Sequence, residues 1–106
     1  MKPTDLNNCL KQMGARLKAA YHAQQVILFG SRATQSAKED SDVDLFVIAP
    51  TKEKFFQRMA TVKRLLREVR QGLPVAPIVL TPEELRERTR AGDSFVKGVM
   101  AHGLRL

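Results

Sequence analysis

Apolar residues recur along this chain at two different periods. Leu6, Leu10, Met13 and Leu17 follow one another at spacings of four, three and four, which is one stripe of an α-helix. Pro3-Thr4-Asp5 supplies its start, so a helix is expected from there to about Tyr21. Gly14 inside it costs about 1 kcal/mol relative to alanine. Val26-Ile27-Leu28-Phe29 is wholly apolar and stops at Gly30, the pattern of a buried strand. Ser31 to about Ser36 reads as a short helical turn, 37–41 as a polar loop, and Val43 to Ile48 as a second strand closed by Pro50-Thr51. The helical period returns from about Lys52 to Arg70. Phe55, Met59, Val62, Leu65, Leu66 and Val69 fall on one side, and Lys63, Arg67 and Arg70 follow another line. Gly72 is placed to end that helix. Val75–Leu80 is a third strand, and Pro77 within it predicts a sheet edge. Thr81-Pro82-Glu83-Glu84 combines a capping threonine, a first-turn proline and the glutamate of a capping box. Residues 91–94 interrupt that helix, and a last one runs from Phe95 to His102.

The order is helix, strand, short helix, strand, helix, strand, helix, helix. It predicts an α/β domain around a small sheet of three or more strands. The 106 residues suffice for one domain, 1–106. That size supports one core but no large enclosed cavity, so an active site should be an open groove, completed by a partner or a second copy. No repeat or low-complexity segment interrupts the pattern.

Charge adds a second layer. The chain has 18 Lys and Arg against 11 Asp and Glu, a net charge of +7. The excess is concentrated: residues 1–53 sum to +1 and residues 54–106 to +6. A basic half attracts polyanions, nucleotides or an acidic protein surface without choosing among them. Solvated helix charge is the plainer reading. Cys9 is the sole cysteine, which excludes an intramolecular disulfide and a cysteine-based zinc site. The first ten residues lack the apolar segment of a signal peptide, and no window approaches a membrane span. The expectation is a soluble, cytoplasmic protein.

Candidate chemistry is concentrated in Gly30-Ser31-Arg32 and, nine residues on, Asp42-Val43-Asp44. Residues two apart on a strand share a face, with side chains about 7 Å apart. Asp42 and Asp44 therefore stand together, while Val43, Leu45 and Val47 go to the core. Adjacent carboxylates repel, and a hard cation such as Mg²⁺ relieves the repulsion while binding substrate phosphates. Gly30 lets backbone approach a ligand. Ser31 begins a turn whose amides and hydroxyl suit a phosphate. Arg32 is within reach of a phosphate, or is a solvated charge. Acids are poor strand formers, so their place at the head of an apolar strand calls for a reason.

Ile27-Leu28-Phe29-Gly30-Ser31-Arg32-Ala33 followed by Ser41-Asp42-Val43-Asp44-Leu45-Phe46-Val47 resembles the signature of the polymerase-β-type nucleotidyltransferase superfamily, and the small size resembles its minimal members. Leu73-Pro74-Val75 through Leu85 and the Ser94-Phe95-Val96 segment are also similar to that group. The resemblance implies a nucleotidyltransferase fold with a small mixed β-sheet and helices packed on it. It implies transfer of a nucleotidyl group from ATP or another NTP to a hydroxyl. Gly30 and Ser31 would hold the triphosphate and Asp42 and Asp44 would bind Mg²⁺. Many minimal members act as antitoxins of HEPN-type toxins, and in such toxin–antitoxin pairs the transferase can adenylylate a tyrosine of the toxin. The family's third acid, on the next central strand, falls here on Ala76, which neither binds metal nor accepts a proton. Glu39 and Asp40 are loop acids in place of it only by sequence proximity.

Two readings therefore stand: a Mg²⁺-dependent transferase, and a transferase-like antitoxin that acts by contact. An RNA-binding module recruited through Lys63, Arg67 and Arg70 is weaker, because no aromatics are interleaved to stack bases. His22 and His102 are far apart and without cysteine neighbours. Tyr21, Phe55, Phe56, Met59 and Phe95 are read as core or interface.

Overall fold

A computed structural model of the chain describes residues 2–34, 36–38 and 41–106. Its elements are α1 (Pro3–Ala20), β1 (Gln25–Phe29), a 3-10 turn (Gly30–Arg32), β2 (Val43–Ile48), α2 (Phe55–Leu66), β3 (Val75–Leu80), α3 (Pro82–Arg90), α4 (Ser94–His102) and β4 (Leu104–Arg105). The strands form one mixed sheet in the order β3-β2-β1-β4. β1 runs antiparallel to β2 and β4, and β2 runs parallel to β3.

Alternation along β2 decides the layers. Val43, Leu45 and Val47 face the core under α1 and α2, with Cys9, Met13, Leu17, Val62 and Leu66. Phe46 and Ile48 face the opposite core, with Ile27, Leu80 and the α4 residues Val96 and Val99. Burial on both faces explains why β2 reads as a continuous apolar run after Asp44. Each fully buried valine, leucine or phenylalanine contributes roughly 1.5–3 kcal/mol, so burial at the sheet centre carries much of the stability of the fold.

β3 is an edge, as Pro77 predicts. Val43 N–H donates to Pro74 O and Ala49 N–H to Leu80 O. By alternation the even-numbered positions of β3 face β2 and the odd ones face outward. The Pro77 nitrogen thus lies on the open side, and no ladder bond is lost. Thr81 caps α3 as read: Glu84 N–H donates to Thr81 Oγ1 at 3.1 Å, and Thr81 N–H to Glu84 Oε1 at 2.8 Å. Asp93 caps α4 through Val96 N–H at 3.0 Å.

Three expectations are corrected. The helix expected over 52–70 spans only Phe55–Leu66, because the chain bends at Glu53 and Lys54 remains extended. The Lys54 amide donates to the Gln57 side chain at the helix start. The chain leaves the helix through turns at 67–72, and Gly72, at φ +78°, ends that turn segment rather than capping the helix, whose C-cap is Arg67. Phe55 and Phe56 are exposed, Phe56 at 82%, and Arg58 is buried in their stead at 7%. Its guanidinium donates to Val79 O, to the Glu53 carbonyl and to Glu84 Oε1 at 2.6 Å, so the buried charge is fully engaged. β4 was absent from the sequence reading, since two exposed residues carry no period. It pairs with Ile27 and Leu28 of β1. The next residue, Leu106, packs where a Cβ on Gly14 would stand, which explains that glycine inside α1. Among the described residues no helix is long and apolar enough to cross a membrane.

Candidate active site

The sheet topology gathers the sequence candidates at one end. β1 ends at Phe29, paired with Asp44, and β3 runs beside β2 with Ala76 paired with Asp44. Side chains in register share a face, so Phe29, Asp44 and Ala76 form a row across the sheet. Asp42 immediately precedes β2 and is exposed, whereas Asp44 is half-buried. Burial pushes the Asp44 carboxyl above the ordinary carboxylate range, and the charge of Asp42 adds to the rise. Asp44 thus carries an unpaid repulsion that a cation would relieve. The bookkeeping fits a hard divalent ion held by one or two carboxylates and substrate phosphates.

Gly30 closes the other side. Its φ is +74°, and a Cβ there would collide with Asp44 Oδ2. Only glycine adopts this backbone at low cost and lets the carboxylate approach it. Within the turn, Ala33 and Thr34 amides bond to Gly30 O, and the Ser36 amide to Ser31 O. The carbonyls point into the turn, and the Gly30 and Ser31 amides precede the first amide that bonds inside it. Backbone donors and the Asp44 carboxylate therefore meet at Gly30.

Arg32 goes elsewhere. Its Nε and terminal nitrogen donate to Ser41 O at 3.1 and 2.7 Å. That contact ties the turn to the residue before Asp42, a positioning role for the second carboxylate. Arg32 also borders a groove of about 880 Å³ between α1 and β4. Size alone does not make that groove the site: neither Asp42 nor Asp44 lines it, and its charged side chains are Lys11, Arg32 and Arg105.

A smaller groove of about 280 Å³ begins at Gly30 and runs between the 3-10 turn and α4, past Phe95 and Gly98. Phe95 sits edge-on to Phe29 and Phe46 at 5.4 and 5.9 Å. A Cβ on Gly98 would meet nothing, so that glycine leaves groove space rather than permitting packing. Sequence reading missed this wall. The signal available was a glycine one turn after Phe95 on an otherwise regular helix.

Glu39 and Asp40 lie outside the described residues. Among those described, no three His, Cys, Asp or Glu side chains converge on one point. Asp44 is paired with Ala76 on the neighbouring strand, and no third carboxylate joins Asp42 and Asp44 among the described residues. His22 and His102 are separate and exposed, and Tyr21 is buried with its hydroxyl donating to Glu53 Oε1 at 2.8 Å, a packing position.

The fold and this constellation define a nucleotidyl-transfer class of protein, and comparison agrees. The nucleotidyltransferase domain family matches residues 6–104, and the chain belongs to that family. A protein of Methanocaldococcus jannaschii named "putative protein adenylyltransferase" is 35% identical over 88 residues, covering 76% of this chain. The chain spans 58% of the length of that relative.

Proposed function

We propose that this domain transfers a nucleotidyl group, AMP from ATP, to a hydroxyl of a protein partner, with Mg²⁺ held by Asp42 and Asp44. The observation that carries this reading is the close approach of the Asp44 carboxylate to Gly30, beside the Gly30–Ser31 amides. Phosphates at those amides would lie next to the carboxylate pair. Bound there, the metal would supply charge neutralisation at the transferred phosphoryl group. Gly30 and Ser31 orient the triphosphate, Arg32 holds Ser41 and hence the approach to Asp42, and the groove along Phe95 and Gly98 offers an apolar seat for the nucleoside. The name of the archaeal relative supports a protein acceptor, and the resemblance to antitoxins of HEPN-type toxins supports a tyrosine of such a toxin.

The test is transfer of label from α-labelled ATP, with Mg²⁺, to a co-purifying or genetically adjacent partner. The expected result is a labelled partner, lost in Asp42→Asn with Asp44→Asn. Absence of label from the native complex would overturn the catalytic reading. Ala76 favours a second reading, in which the domain neutralises its partner by contact alone. In that case the double asparagine variant keeps both the complex and the neutralisation.

A further inference from the structure

The second half of the chain carries its excess charge in a particular place. Lys63, Arg64, Arg67 and Arg70 line a groove of about 310 Å³ together with Pro74 and Val75. None of the four is in an ion pair with a described carboxylate; Arg64 acts on Glu53 only through space. The acid on this stretch, Glu68, lies on the other side of the helix end and pairs with Arg16 of α1 at 3.7 Å. Positive charge has thus been separated from negative across one helical segment. Like charges one turn apart repel. The helix dipole offsets this for Lys63 and Arg64 in the last turn of α2, but Arg67 and Arg70 lie beyond that turn. Arg70 is also fixed in place, donating to Leu73 O at 2.9 Å.

The groove meets the outer edge of β3 at Val75, which is itself only 8% exposed. Of the outward-facing positions of β3, Pro77 has no N–H and the Val79 carbonyl already accepts from Arg58 at 3.2 Å. Val75 keeps both backbone groups facing outward, and Val75 lines the groove. Pro74 O holds the Val43 amide, so the groove opens at the same end of the sheet as Asp42. No aromatic side chain lines it, which removes the stacking platform that single-stranded nucleic acid uses. An extended acidic peptide would place its carboxylates on these cations, and the outward backbone groups of Val75 add one main-chain contact at most.

We propose that this groove docks an acidic, extended segment of the protein acceptor and so presents the acceptor to the Asp42 end of the sheet. The proposal rests on the reading of a protein acceptor above. The probe is a short fluorescein-labelled polyglutamate peptide, with oligothymidylate of equal length as comparison, followed by anisotropy. Lys63→Glu with Arg67→Glu is compared with Arg86→Glu plus Arg90→Glu, exposed positions on α3 that change net charge equally. Lys63→Gln with Arg67→Gln repeats the first pair without reversal. The expected result is a loss of peptide affinity of roughly tenfold or more in the groove variants only, with Mg²⁺–ATP binding unchanged. No binding of the peptide by the parent protein would overturn the proposal. So would equal losses in both charge-reversed pairs, or oligothymidylate binding the groove more tightly than the peptide. Retention of Mg²⁺–ATP binding in Asp42→Asn with Asp44→Asn, or its absence in the parent, counts against the nucleotide site alone, so the two readings fail separately.

Discussion

The Asp44 carboxylate stands where a side chain on residue 30 would begin. Gly30, at φ +74°, is the one position of the turn that a Cβ would close. Gly30→Ala should therefore cost stability twice, through backbone strain and through displacement of Asp44. A loss of roughly 1–3 kcal/mol is expected by chemical denaturation. Mg²⁺–ATP affinity, read by calorimetry, should fall as well. A variant that keeps stability and affinity would show that the approach is not needed.

Asp44 makes a prediction with a defined sign. Its folded-state carboxyl is raised by burial and by Asp42. An acid raised on folding binds more protons folded than unfolded, so its charge opposes folding above the folded pKa and ceases to matter below the unfolded value of about 3.9. Metal-free Asp44→Asn should be more thermostable than the parent at neutral pH, with the gain vanishing as pH falls below about 4. Added Mg²⁺ with ATP should stabilise the parent and not the variant. Thermal scans across pH, with and without nucleotide, check both parts.

Ala76 is paired with Asp44 on the neighbouring strand, where a third carboxylate would face the other two. Ala76→Asp should raise label transfer while lowering the thermostability of the metal-free protein, since one more like charge joins the row. Unchanged transfer, with Mg²⁺–ATP binding intact, would mean that acceptor activation comes from another group.

Arg58 and Glu84 lock α2 to β3 and α3. Contact with Arg58 is the main cause of the depressed Glu84 carboxyl. A carboxylate depressed on folding stabilises above its unfolded pKa and loses that contribution as pH falls through the folded value. Glu84→Gln should destabilise by roughly 1–3 kcal/mol at neutral pH, and the difference from the parent should shrink below about pH 4.3. Phe56→Ser, at an exposed position two residues before Arg58, should change stability by no more than about 0.5 kcal/mol. Urea titrations at two pH values separate these effects.

Much of the site was legible because its signals are local. The apolar runs ending at Gly30 and beginning after Asp44 mark two buried strands, and acids at a strand head are conspicuous. The capping box at Thr81 and Glu84 depends on a spacing of three residues and formed as read. The path of α2 was less legible. Its sequence offers Phe55 and Phe56 to the core, yet Arg58 is taken inside because Val79 O, Glu53 O and Glu84 are all there to receive it. Those partners lie up to 26 residues away, beyond any helical period.

The sequence by itself determined the first three strands, which face β2 presents to each core, and that two carboxylates and a glycine-serine turn flank one loop. Period and capping are properties of neighbouring residues, so they need no fold. Tertiary structure decided that Asp44 abuts Gly30, that Ala76 occupies the third place in the row, and that Lys63, Arg67 and Arg70 gather beside the outer edge of β3. Each of those depends on strand register and on which edge is left unpaired, which only the assembled sheet settles.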